Sequence, residues 1–430
     1  MKTIRDGVHG DIQLTELEMS VVDTAAFQRL RGIKQLGTSH LVFPSAGHSR
    51  FEHSLGTCWM ARVMLGHLRE QLQDELLDTN AEQLLGLGAL LHDITHVPFG
   101  HTFEDERRIF LRHDESTERL EYFLKQGALA VVLEKSGHWP ALIKLMNKNS
   151  RLEGQHLLIR DMVSGTICAD LLDYLQRDAF FCGINQSYDE RVFQYLRADE
   201  QGLYFDLQRK GQFRPDALSE LIHLLRLRYT LTERVYYHHA KVASGAMLSK
   251  ALELCLRAGV MQQQELYLLK DDSFLHVLRE KGQSVPGVVT LLDDLAAHRI
   301  YKCIYALQTD GPHGRGLSGG ERDEFVSRYH LNGDGARDQL EMQLAAALKI
   351  PQADVIVSCP DKKMSLKEAD IRVRYSHEQI DLLSRLDNPE INVLLEKHRA
   401  LWKFRVFLRR EHLALAGKGR AILEDILKKK

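Results

Sequence analysis

The sequence predicts a mainly α-helical fold, a helical core followed by a smaller mixed α/β C-terminal lobe, and three observations carry that expectation. Apolar residues recur at helical intervals through most of the chain. Strand-like stretches are few and short: DIQL near the start, a turn-centred segment around Lys210-Gly211, and ADVIVSC at 353–359. A chain of 430 residues, 44% hydrophobic and 27% charged, is long enough to bury one large core or two modest ones. Residues 1–250 are expected to form the catalytic core, and 251–430 a lobe for packing and oligomerisation.

Taken in order, DIQL follows Gly7 and Gly10 as a strand or turn. Thr15 with Glu18 three residues later has the spacing of a capping box and should open a helix. From Val21 to Leu36 the stripe VVDTAAFQRLRGIKQL predicts a continuing helix with Asp23, Gln28, Arg29 and Arg31 on its other faces. Pro44 and Gly47 make a turn, after which Arg50 and His53 share one helical face. The apolar helical run Leu84–Leu91 delivers His92-Asp93, with His96 and His101 close behind. Glu104 and Asp105 occupy a connection, and His113 is expected to start the next helix.

In VSGTICADLLDYLQRDAFFCGI, the residues Asp170, Tyr174 and Asp178 recur at i, i+4 and i+8 as a polar stripe on a helix otherwise apolar. Residues 201–215 predict a small hairpin. Helical patterning resumes with Arg228 and Tyr236 on one face and Arg234, His238 and Lys241 on another. Those cations and aromatics suit phosphate and base contacts, and equally a solvated helix face. From about residue 260 helix is expected through LLDDLAAHRIYKCIYAL, then a flexible Gly-rich loop, DGPHGRGLSGGERDE. LSGGE is shared with transporter ATPases, but no GxxxxGK[ST] phosphate loop accompanies it. ADVIVSC follows as a strand, and amphipathic helices close the chain, their terminal lysines solvated at a helix end.

Lys plus Arg (57) nearly cancels Asp plus Glu (59), so no global field argues for nucleic-acid binding, and an anionic ligand must be held by local clusters. The six cysteines, Cys58, Cys168, Cys182, Cys255, Cys303 and Cys359, contain no CxxC pair and are expected to be buried thiols of a reducing cytoplasm. Met1–Gly10 is charged and polar, unlike a secretory signal, and no run of about 18 apolar residues predicts a membrane span.

The chemistry concentrates in the histidines and carboxylates. Burying them unpaired costs several kcal/mol each, on the order of an unmade hydrogen bond or more, and the economical common partner is a metal ion. His53, His92, Asp93 and Asp170 would offer two nitrogens and two carboxylates to one divalent metal with open positions, which suits Mn, Mg, Fe, Ni, Co or Zn. Such an ion makes water nucleophilic near neutrality and polarises a phosphoryl oxygen, so phosphoester hydrolysis is the natural chemistry.

The pattern H…HD…D, carried by FEHSLG, LLHDITHVPFGH and CADLLDYLQRD, resembles the HD-domain metal-dependent phosphohydrolases. DTAAFQRLRGIKQLG, HSRFEHSLG, HDITHVPFGHTFED and DYLQRD resemble more closely their dNTP triphosphohydrolase branch, which includes dGTPase-like bacterial enzymes and a mammalian enzyme with an added SAM domain. Because the sequence opens at the HD portion, no SAM domain is expected. The resemblance is dense from residue 4 to about 245 and weaker beyond. It implies attack of metal-activated water at the α-phosphorus of a dNTP, releasing deoxynucleoside and inorganic triphosphate.

By the same resemblance His53, His92, Asp93 and Asp170 hold the metal. His113 with Glu104 moves the proton to the leaving oxygen, and His96 and His101 contact the α-phosphate. Arg50, Arg228 and Tyr174 bind phosphates, while Gln35, Leu36, Asp178 and Tyr236 line the sugar and base pocket, Leu36 and Tyr236 excluding a 2′-hydroxyl. Asp23, Gln28 and Arg31 match positions that grip an activating guanine nucleotide, GTP or dGTP, at the interface of a homo-oligomer, dimer or tetramer. Two departures touch the substrate: Leu171 stands where animal relatives have a phosphate-binding Lys, and Glu104 replaces an Asp. Arg5 replaces an Asn near the regulatory positions. Two other functions compete: an HD phosphohydrolase acting on a nucleoside monophosphate, a modified or a signalling nucleotide, and a non-catalytic nucleotide-sensing or nucleic-acid-binding regulator.

Overall fold

A computed structural model describes residues 1–72, 77–309, 316–361, 366–376 and 379–428. Helices dominate it, with short sheets at the start and in the C-terminal half. The strands Lys2–Asp6 and Gly10–Leu14 form an antiparallel hairpin. Thr15 then opens the helix Glu16–Val22 through a reciprocal capping box: its Oγ1 accepts from the Glu18 N–H, and the Glu18 carboxylate accepts from the Thr15 N–H at 2.8 Å. The predicted helix from Val21 to Leu36 does not continue. Asp23 closes the first helix, and Thr24 caps a four-residue helix, Ala25–Gln28, that passes into a 3₁₀ turn, Arg29–Gly32. The Thr24 hydroxyl, donating back to the Val21 carbonyl at 2.7 Å and accepting from the Phe27 N–H, restarts the chain in a new direction.

The long helix Arg50–Leu72 packs against Thr79–Leu91 and Ala169–Phe181. Gly56 permits the close crossing with the second of these: a Cβ there would fall 1.8 Å from Asp173 Oδ1 and 2.4 Å from the Arg177 guanidinium. The large core runs from Ile12 to Phe407 and takes in the helices Pro215–Leu231, His239–Arg257, Asp271–Lys281 and Val288–Ala296. A smaller core from Ile304 to Leu423 holds the three-stranded antiparallel sheet. Its central strand is Lys403–Leu408, flanked by Lys302–Gln308 and Val355–Ser358.

Several sequence expectations change here. YKCIYAL is not the end of a helix: Lys302–Gln308 is an edge strand that pairs with the centre of the sheet, Tyr305 opposite Val406 and Cys303 opposite Phe407, with the register shifting at Ile304. The helices at the end of the chain, Pro389–Arg399 and Ala416–Lys428, are separated by that central strand. The LSGGE stretch is a helix start, with Ser318 and Glu321 forming a capping box for Gly319–Phe325. Residues 310–315 of the Gly-rich segment, and the last two lysines, lie outside the described residues. The turn at Lys210-Gly211 does join two strands, Gln208–Arg209 and Gln212–Phe213. The preceding residues pair elsewhere, Gly202–Asp206 lying between Leu196–Asp199 and Arg372–Arg374. Five cysteines are buried, but Cys303 is exposed. Among the described residues no helix is long and apolar enough to cross a membrane.

Candidate metal centre and adjoining cavity

His53 projects from the first turn of the helix Arg50–Leu72, while His92 caps the end of Thr79–Leu91 and Asp93 follows it. Asp170 sits in the first turn of Ala169–Phe181. Three helix ends therefore converge, and they bring the four predicted ligands together. His53 Nε2 lies 3.0 Å from Asp170 Oδ1 and 3.2 Å from His92 Nε2, and Asp93 Oδ1 is 3.6 Å from His92 Nε2.

The outer nitrogens fix the tautomers. His92 Nδ1 faces the Ala89 carbonyl at 2.8 Å, and His53 Nδ1 faces Asp173 Oδ2 at 2.7 Å. Both partners only accept, so both Nδ1 atoms carry hydrogen and both Nε2 lone pairs point at each other and at carboxylate oxygens. Such a convergence of bare donors calls for a cation, and this donor set fits a divalent metal ion. The carboxylates that would neutralise a metal ion also draw a competing proton to the same nitrogens: burial opposes charge on His53, but its hydrogen bonds to Asp170 and Asp173 hold it up at about 10. Burial likewise opposes charge on His92, and Asp93 nonetheless raises it. Burial opposes charge on Asp93, but Arg50, His92 and His96 together hold it well below the usual carboxylate range.

Behind His53 stands a network that the sequence reading missed. Asp173 is fully buried, and the Arg177 guanidinium donates to both its oxygens at 2.9 Å while also donating to Asp6 at 2.9 and 3.2 Å. His9 Nε2 is 2.6 Å from Asp173 Oδ1, its ring stacked on Trp59. The i, i+4 pair Asp173/Arg177 inside DYLQRD was the available signal; its pairing with the N-terminal hairpin had none.

His96, His101, Glu104 and His113 make a second group, with donor atoms all within 4.8 Å of one another. His101 Nδ1 is 2.9 Å from Glu104 Oε2, His113 Nδ1 is 3.6 Å from that oxygen, and Arg119 donates to Glu104 Oε1 at 3.2 Å. Burial pushes His96 well down, and Arg50 and His113 push it further; burial also lowers His101. Glu104 is held well below its usual range because His101 and His113 outweigh its burial. With its one carboxylate already paired to an arginine, and with His96 and His101 lowered, this group is less suited to a cation than the first. His113 does not start a helix as expected: Ser116 caps the helix Thr117–Leu124, which leaves His113 in the connection, its carbonyl accepting from Thr95 Oγ1 at 3.0 Å.

Both groups lie at one cavity of about 1300 Å³. His53 and His96 are buried beneath its floor, and His92, Asp93, His101, Glu104, His113 and Asp170 line it. Gln35, Leu36, Arg50 and Tyr174 also line it, as do Asp178, Arg228 and Tyr236. Arg228 stands 5.3 Å from the Tyr174 ring and 5.1 Å from that of Tyr236. Tyr236 donates to Asp178 Oδ2 at 2.7 Å, and Asp178 Oδ1 lies 2.9 Å from His48 Nε2. The Arg50 guanidinium pairs with Asp93, yet its Nε and Nη2, like Gln35 Oε1, have no hydrogen-bond partner. Leu171 lines the cavity as a buried apolar side chain. Asp23, Gln28 and Arg31 are not among the lining residues. Arg31 Nε donates to Gln28 Oε1 at 2.8 Å and its guanidinium sits 3.5 Å from the Phe51 ring, while Asp23 is exposed.

Against known proteins, the HD domain family profile matches residues 50–178 and the HD associated region matches 222–427. The chain is 30% identical over 286 residues to an uncharacterized protein of Methanocaldococcus jannaschii, covering 65% of this chain and 55% of that one. It is 30% identical over 331 residues to the deoxynucleoside triphosphate triphosphohydrolase SAMHD1 of Homo sapiens, covering 69% of this chain and 49% of that one. The chain thus spans about half the length of the curated relatives it matches. A crystal structure of a hypothetical protein from Aquifex aeolicus shares the fold, with a TM-score of 0.69, 23% identity, and coverage of 98% of this chain and 99% of that one.

Proposed function

For a chain that carries an HD domain followed by an HD-associated region, we propose hydrolysis of deoxynucleoside triphosphates to deoxynucleoside and inorganic triphosphate. The observation that carries the hydrolytic part is the pair of bare Nε2 atoms of His53 and His92, 3.2 Å apart and facing Asp93 and Asp170 on the floor of a nucleotide-sized cavity. The named activity of the SAMHD1 relatives supports the substrate.

A divalent ion held by His53, His92, Asp93 and Asp170 would supply a nucleophile near neutrality and polarise a phosphoryl oxygen. The chain's own groups do the rest. Arg50, with two donor nitrogens lacking partners, and Arg228, held between two tyrosine rings, orient the phosphates. His113, beside Glu104, protonates the O5′ atom as its bond to the α-phosphorus breaks and the new oxygen–phosphorus bond forms. Leu36 and Tyr236 close the space at C2′, and the Tyr236 hydroxyl hydrogen, committed to Asp178, is not available to donate to a ribose hydroxyl. Guanine-nucleotide activation at Asp23, Gln28 and Arg31 in a homo-oligomer belongs to the same proposal.

Leu171 supports a second assignment, an HD phosphohydrolase acting on a different nucleotide, because it puts an alkyl group where a cation would clamp a triphosphate. Chromatography of the products from each dNTP and NTP, with Mn or Mg and with or without GTP, separates the two. Deoxynucleoside with triphosphate is the expected product pair; dNMP with pyrophosphate, or intact dNTPs, would overturn it.

A further inference from the structure

Asp271 is 1% exposed and lies at the first position of the helix Asp271–Lys281, in the HD-associated half of the chain. Its two oxygens go to two different loops of the other half. Oδ1 accepts from the Phe99 N–H at 2.7 Å, and Oδ2 accepts from the Lys34 N–H at 2.9 Å, with Lys34 Nζ at 3.7 Å. The first loop leads into His101 and the second into Gln35 and Leu36, so one carboxylate fixes the segments that flank the cavity on either side.

The two loops also wedge against each other. Phe99 and Gly100 are consecutive left-handed residues, with φ of 59° and 56°, and Gly37 has φ of 54°. A Cβ on Gly37 would fall 2.6 Å from Thr102 Oγ1 and 3.0 Å from the Phe99 carbonyl oxygen, and one on Gly100 would fall 2.5 Å from the Arg50 guanidinium. Phe274, one turn along from Asp271, meets the Phe99 ring edge-on at 6.1 Å. A phenylalanine with positive φ persists only where its surroundings hold it, and the Asp271 bond to its N–H is that hold.

We propose that Asp271 is a positioning residue: it clamps the sugar-facing loop 34–37 to the histidine loop 99–101 and thereby sets discrimination between deoxyribose and ribose nucleotides, which rests on the dNTP hydrolysis proposed above. Asp271→Asn keeps the side-chain volume but turns an NH₂ group toward one of the two N–H donors. Gly37→Ala drives the same loops apart from the opposite side and leaves Asp271 untouched. In the Mn-loaded protein each variant is expected to speed hydrogen exchange in 34–37 and 99–101 together. Each should raise the ratio of kcat/KM for an NTP over its matching dNTP by about tenfold, the scale of a misfitted small group in a pocket, with metal content unchanged.

Faster exchange in only one loop or in neither, or a rate that falls with folded fraction at constant NTP-to-dNTP ratio, would overturn the proposal. If the parent leaves every nucleotide intact, it is the dNTP assignment that fails; the exchange measurement then still decides whether the two loops are clamped together.

Discussion

The imidazoles around His53 and those around His96 meet at one carboxylate. Asp93 Oδ1 lies 3.6 Å from His92 Nε2, 3.1 Å from His96 Nε2 and 3.8 Å from His113 Nε2. The two groups are made of the same residue types in similar burial, yet their electrostatics are opposite. Against their burial, His53 is raised because carboxylates stand both in front of it, Asp170, and behind it, Asp173, and His92 because Asp93 and Asp170 stand in front of it; His96 and His101 are lowered, because burial acts with Arg50 nearby and the carboxylate they share is paired to Arg119. The charges around an imidazole decide whether it attracts a cation or remains neutral and free to trade a proton.

The largest test of that contrast removes a member of the first group. Asp93→Ala should abolish bound metal, read by elemental analysis, and lower turnover by on the order of 10³-fold or more, since both the ion and the partner of Arg50 are lost. Glu104→Gln should act on the second group alone: metal content stays at the parent level while turnover falls by about 10²-fold or more, as expected for a disabled proton transfer. If Glu104→Gln lost metal as Asp93→Ala does, the two groups would be one site.

A smaller effect is expected from behind His53. Asp173→Asn should weaken metal affinity by about 10- to 100-fold in a titration, through the orientation of the imidazole, without contact to substrate. The smallest is a pH effect. His101 has its folded pKa lowered below 6.5, so the unfolded chain binds its proton first. Its contribution to stability is complete above about pH 6.5 and is lost as pH falls toward the lowered value. His101→Gln should flatten the fall of Tm below pH 6.5, and an unchanged slope would show that this imidazole is not held neutral.

The helices that build the floor were legible because their apolar stripes and end signals are local. Leu84–Leu91 ends at His92, Thr15 and Glu18 make their capping box, and Asp170, Tyr174 and Asp178 share one helix as their spacing implied. The segments that failed are those decided by distant partners. Nothing near Val21–Leu36 announces that Thr24 will turn the chain, and YKCIYAL has a helix-compatible pattern until the strand Lys403–Leu408, about a hundred residues on, pairs with it.

The sequence by itself determined that His53 and Asp170 are carried by helices and that His92-Asp93 follows one, because 3.6-residue periodicity and end signals depend only on neighbours a few positions away. Only the tertiary structure decided what backs each of them. Asp173 reaches His9 across 164 positions, and Asp271 holds Lys34 and Phe99 across 237 and 172. Those partners set charge and loop position at the site, and they are fixed by packing between elements that the sequence does not align.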